Sequence, residues 1–136
     1  MRGSSMIGII NLMEIASKRL SGYDFELLQK TNVVLQAIRA VEAVPHKRLK
    51  VNGHLHRQLA SALVIAAEND EEIMIQSRHQ GDLFDAKLST STYKWLDKLV
   101  STGLLVSQSK QNKAEGRLTV SDTIKHLVKD PALVST

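Results

Sequence analysis

The chain contains no cysteine, only two prolines, and aromatic residues at just 4%. Without cysteine there is no disulfide, no thiolate metal site and no cysteine nucleophile, and the composition suits a reducing cytoplasm, the expected location. Scarce aromatics leave the core to Leu, Ile, Val and Ala, a composition that favours helices. No apolar run approaches the roughly 18 residues of a membrane span, so no membrane partner is expected. No charged, apolar, small-residue signal pattern opens the chain. Its first five residues, MRGSS, resemble a vector-derived leader, which makes Met6 the expected natural start.

What is present is an ordinary globular balance: 43% apolar and 24% charged residues over a length of 136, enough for one domain with a core. The net charge of +4 is unevenly distributed. Between Lys87 and Arg117 lie six cations and two anions, which leaves twelve of the eighteen cations and twelve of the fourteen anions elsewhere. The whole surplus falls in that stretch. Two smaller local imbalances also exist, basic PHKRLK (45–50) and acidic ENDEE (68–72). A surplus of this size is by itself compatible with a solvated face, so position has to decide its meaning.

Hydrophobic spacing predicts two N-terminal helices. The first runs from Ile7 to Leu20 and is stopped by Ser21 and Gly22. The second is capped by Asp24, carries Leu28, Leu35, Ile38 and Val41 on one side, and ends near Val44 because Pro45 follows. Leu27, Val34 and Ala37 widen its stripe enough to cover both a core and a partner. After a basic loop, Asn52 can cap a third helix whose run Leu59, Ala62, Leu63, Ala66 and Ala67 reads as buried. EEIMIQ (71–76) then reads as a short strand, and SRHQGDLFDA (77–86) as a short helix. No repeat or low-complexity segment interrupts this order.

The stretch from Ser89 to Asp122 carries the strongest local signals. Ser89 or Thr90 can cap a helix that turns Thr92, Trp95, Leu96, Leu99 and Val100 inward, and Gly103 ends it at a position that tolerates a left-handed backbone. LLVSQS (104–109) and GRLTVS (116–121) read as two strands joined by the polar tip KQNKAE. Ser121 then caps a short last helix closed by Pro131. The expected fold is therefore mainly α with a small β-hairpin wing, a winged helix-turn-helix over 51–130 preceded by two helices over 6–50 and followed by a tail over 131–136.

HLHRQLASALVIAAENDEEIMIQ, LSTSTYKWLDKLVSTGLLV and GRLTVSD together resemble the MarR group of winged-helix regulators over roughly three-fifths of the chain. Asp97, Lys98, Leu99 and Gly103 fit the pattern of that group's recognition helix and its exit, with Lys94 where arginine is common. The resemblance implies a sequence-specific regulator of transcription that binds duplex DNA as a homodimer. The last helix is too short to serve as that group's long C-terminal dimerisation helix, so the N-terminal helices are the expected dimer interface.

A recognition helix over about 89–102 enters the major groove with its N-terminal residues toward base edges, and a wing over about 104–120 follows the backbone or minor groove. The residues expected to meet DNA are Ser89, Thr90, Ser91, Tyr93, Lys94 and Lys98 on the helix, with Lys110, Lys113 and Arg117 on the wing. Hydroxyls and helix-start amides suit phosphates, and lysine suits a guanine edge or a phosphate. Tyr93 is expected to touch a phosphate or a thymine methyl, and Trp95 to belong to the core.

Other chemistry finds little footing. His54 and His56 lack the spacing of a metal pair, with His46 and His79 elsewhere, and Asp82 and Asp85 read as capping and solvent residues. No nucleophile motif, phosphate loop or zinc motif is present, so neither a metal, a cofactor nor an enzyme is expected. A small-molecule effector has no polar cluster to mark its place. The rival reading is a winged-helix module that docks protein in a larger assembly; a plasmid or phage replication or partition protein would share the DNA chemistry.

Overall fold

The computed structural model describes residues 6–42, 53–75, 90–107 and 116–129, with residues 41, 42, 53–55 and 91 described by backbone alone. In chain order these form β1 (Met6–Gly8), α1 (Ile9–Ser21), α2 (Phe25–Glu42), α3 (Gly53–Glu68), β2 (Glu72–Ile75), α4 (Thr90–Ser101), β3 (Leu105–Ser107), β4 (Gly116–Val120) and α5 (Asp122–Lys129). The fold is mainly helical, with a small mixed sheet in the order β1-β2-β4-β3. The expected short helix over 77–86 and the six-residue tip of the hairpin lie outside the described residues.

The start of the chain differs from its sequence reading. Ile7 was expected to open the first helix, yet Met6–Gly8 is a strand that pairs in parallel with β2, Ile7 opposite Ile73. Gly8 weakens helical continuation and β-branched Ile7 suits a pleated edge, so α1 starts two residues later, at Ile9. From there the period holds: Ile9, Leu12 and Ala16 are buried, and Lys18 and Arg19 lie in the last turn, where cations complement the helix dipole.

The exit of α1 runs through a left-handed residue. The helix does end at Ser21, but Gly22 keeps a negative φ of −85° and Tyr23 takes the left-handed position at +60°. The amide of Tyr23 donates to the carbonyl of Leu20 at 3.1 Å and that of Asp24 to the carbonyl of Arg19 at 3.1 Å, the paired bonds of a Schellman closure. Asp24 then starts α2 as predicted: its Oδ1 accepts from the Leu27 amide at 3.0 Å, and its Oδ2 accepts from Arg19 Nε at 2.8 Å. Those two bonds, the backbone one foremost, hold the Asp24 pKa below its ordinary value.

Helix α3 is the centre of the core. Every residue from Leu59 to Ala67 is buried, which follows from a run apolar on all sides except Ser61. It packs chiefly against α1, α2 and α5, and also meets β4. Against it α2 turns Leu27, Val34, Leu35 and Ile38, so the apolar stripe of α2 is occupied inside the chain. Ser61 meets Thr31 of α2, Oγ to Oγ1, at 2.9 Å, while Thr31 reaches the Leu27 carbonyl and Ser61 the Arg57 carbonyl at 2.7 Å each. Two hydroxyl protons serve these three contacts, so one hydroxyl at a time gives up its carbonyl. At the rim, Lys30 bridges Glu68 of α3 at 3.0 Å and Glu26 of its own helix at 3.1 Å.

The sheet covers one flank. Ile73, Ile75, Leu118, Val120 and Leu105 point into the core, and Met74, Arg117, Thr119 and Val106 point away, the alternation expected of strands wet on one side. β4 lies between β2 and β3 and is antiparallel to both. Ser121 caps α5 through the Ile124 amide at 3.3 Å, and Ile124 and Val128 are buried on that helix. One buried cluster runs through residues of all five described helices and of β2, β3 and β4.

Candidate nucleic-acid interface

α4 owes its orientation to one wide inward arc. Thr92, Tyr93, Trp95, Leu96, Leu99 and Val100 are all buried. The helix closes as Gly103 adopts a φ of +84°, its amide donating to the Val100 carbonyl at 3.1 Å and that of Leu104 to the Leu99 carbonyl at 3.0 Å. This second Schellman closure turns the chain into β3 and fixes where α4 stops relative to the hairpin.

The burial of Tyr93, 4% exposed, corrects the expectation that its ring faces outward to meet DNA. Seven residues separate Tyr93 from Val100, and a heptad returns to nearly the same side of a helix, within about 20°. The arc that buries Val100 therefore reaches Tyr93 as well. An inward face of Thr92, Trp95, Leu96, Leu99 and Val100 without Tyr93 made the arc too narrow.

Opposite that arc, Thr90 and Lys94 are exposed and Lys98 is half-buried, with exposed Ser101 beyond. The steps of four and three residues align them in one stripe. Thr90 is in the first turn, where amides without helical partners and the positive dipole end favour an anion. Half-burial of Lys98 fits a stem laid along the helix with its ammonium at the surface.

The other expected contacts are distributed differently. Ser89, Lys110 and Lys113, and the side chain of Ser91, lie outside the described residues. Arg117 is exposed on the outward face of the sheet, its Nε 3.9 Å from Glu72 Oε2, a loose and solvated pair. The stripe on α4 is thus the part of the site that the structure brings together, and Arg117 belongs to another surface, on a strand.

Behind the stripe, Trp95 is 1% exposed and sits with its ring centroid 5.2 Å from that of His56 on α3, the planes tilted by 43°. This joins the two helices and gives His56 a structural task that the sequence reading did not find, because nothing in the spacing of His54 and His56 announces a partner in another element. Burial, and after it the charge of Arg39, pushes the His56 pKa down to about 4. Among the described residues, His56 Nε2 and Trp95 Nε1 are buried without a hydrogen-bond partner. No group of three His, Asp or Glu side chains among the described residues could hold a metal ion. No described helix is long and apolar enough to cross a membrane. No family model, curated protein or solved structure matches the chain.

Proposed function

We propose that the chain is a winged helix-turn-helix protein that reads double-stranded DNA as a homodimer and regulates transcription in the cytoplasm. The observation that carries the reading is the stripe of Thr90, Lys94 and Lys98 on a helix whose opposite arc is locked into the core. A helix held that firmly presents its outer side with little freedom, which is what insertion into a major groove requires. Lys94 then meets a guanine edge or a phosphate, and Thr90 and the first amides of α4 take a phosphate oxygen.

The order α3, β2, α4, β3, β4, with β2, β4 and β3 antiparallel in one sheet, supports the winged arrangement. The sequence likeness to the MarR group points the same way. Lys110 and Lys113 on the wing complete the cationic surface in this proposal, and Tyr93 is removed from it. Binding, not catalysis, is the proposed activity, because the stripe pairs cations with hydroxyls and has no activated nucleophile.

The test is selection from a random duplex library, with recovered sequences compared at two salt concentrations. A recovered palindrome with half-sites about one helical turn apart, and a binding constant that falls with a logarithmic slope of about 0.9 per phosphate contacted, are the expected results. Absence of both enrichment and salt sensitivity overturns the proposal and makes α4 with its hairpin a protein-docking surface.

A further inference from the structure

The two aromatic residues where α1 passes into α2 behave unlike the aromatics of α4. Tyr93 and Trp95 are buried, whereas Tyr23 is 78% exposed and Phe25 is 73% exposed. Tyr23 moreover occupies a left-handed backbone position, at φ +60°, that glycine adopts without strain. The ring is held out in solvent at a cost to the fold.

Beside these rings lies a depression of about 230 Å³ lined by Leu20, Tyr23, Asp24, Phe25, Leu28 and Arg57. A second hollow of about 200 Å³ adjoins it, sharing Leu20 and Arg57. Each is smaller than the roughly 300 Å³ at which small-molecule sites begin, and suits one or two inserted side chains. The charges of the patch are of both signs. Asp24 keeps lone pairs beyond its bonds to Arg19 and Leu27, and Arg57 has no ion pair among the described residues, whereas nearby Arg19 and Lys30 are both paired.

Protruding ring and hollow, anion and cation, therefore occur together on one patch. That is the condition for an isologous contact, in which one surface meets its own copy across a two-fold axis. We infer that this patch is a homodimer interface: Phe25 of each protomer enters the depression of the other, Tyr23 covers its rim, and Arg57 approaches the Asp24 carboxylate across the axis. Four aromatic rings at about 150–250 Å² each, with Leu20, Leu28 and the stem of Arg57, reach the lower end of specific interfaces, near 1,000 Å². Leu27, Val34, Leu35 and Ile38 of α2 are buried inside the chain and are not available for this purpose. The inference rests on the homodimer part of the proposed function and is independent of DNA binding.

Sedimentation equilibrium of the full chain, at concentrations on the order of 1 to 200 μM, tests it. The unaltered chain is expected to dimerise in the micromolar range, and Phe25→Ser and Arg57→Ala each to weaken the dimer about tenfold or more, as removal of central contacts does. Tyr23→Gly separates interface from fold. It is expected to weaken the dimer while raising Tm by about 2–5 °C, because it removes a solvent-exposed ring and relieves the backbone. A monomer at every concentration, or a dimer indifferent to all three substitutions, overturns the inference. A monomer that still selects a DNA motif leaves the DNA reading intact; a Phe25-dependent dimer that selects none leaves only the interface.

Discussion

α3 and α4 contact each other through His56 and Trp95, yet they are covered in opposite ways. From Leu59 to Ala67 α3 is buried around its whole circumference, while α4 is buried along one arc and shows Thr90, Lys94 and Ser101 on the other. A helix closed on every side contributes packing and no recognition. A helix closed on one side lends its rigidity to whatever the open side meets. The cationic residues of α4 gain their significance from the Trp95 side of the same helix, which holds them in place.

Breaking the closed side should have the largest effect. Trp95→Ala removes a side chain that is 1% exposed and should cost about 3–5 kcal/mol, read from urea unfolding followed by circular dichroism. A cost below about 1 kcal/mol would mean that α4 is not anchored through this ring.

Acid should loosen the same junction by a smaller amount. The folded His56 pKa, about 4, lies below the ordinary 6.5, so between these values the unfolded chain binds more protons and stability rises with pH. His56 therefore contributes a loss of stability as pH falls from about 6.5 toward 4, and His56→Leu should flatten that part of the profile. Asp24, whose folded pKa is lowered below 3.8, loses its contribution only at more acidic pH, as the carboxylate protonates through its folded value. Unfolding free energies measured at several pH values between 7 and 3 distinguish the two windows.

Ser121→Ala should cost about 0.5–2 kcal/mol by removing the cap at the Ile124 amide. The smallest effect on stability belongs to the open side of α4. Lys94→Glu should change the unfolding free energy by no more than about 0.5 kcal/mol, while lowering DNA affinity at least about tenfold at low salt, where phosphate contacts dominate. A large loss of stability in that variant would erase the distinction between the two sides of the helix.

Much of this was legible where the signal was local. Asp24 as a cap, Gly103 at the end of α4 and Ser121 at the start of α5 all depend on residues within one turn of each other, and the structure has each of them as expected. β1 was not legible, because three residues become a strand only through Ile73, far along the chain. The spacing of α2 defined an apolar side but not its occupant, and its residues Leu27, Val34, Leu35 and Ile38 are buried where α2 packs on α3 and α5. Tyr93 lies at the margin of its arc, where periodicity alone decides least. The left-handed backbone of Tyr23 was not legible, because a tyrosine gives no local signal for that conformation.

The way α3 is wrapped also has a consequence in time. α1 and α2 precede it in the chain, but α5 arrives only after the whole sheet has been made, and β4 has to enter between β2 and β3. A growing chain that has emerged as far as β3 consequently carries a nearly continuous apolar helix with one flank still open. That interval is the moment at which a chaperone has most to hold, and a chain truncated before α5 should be captured and degraded instead of accumulating.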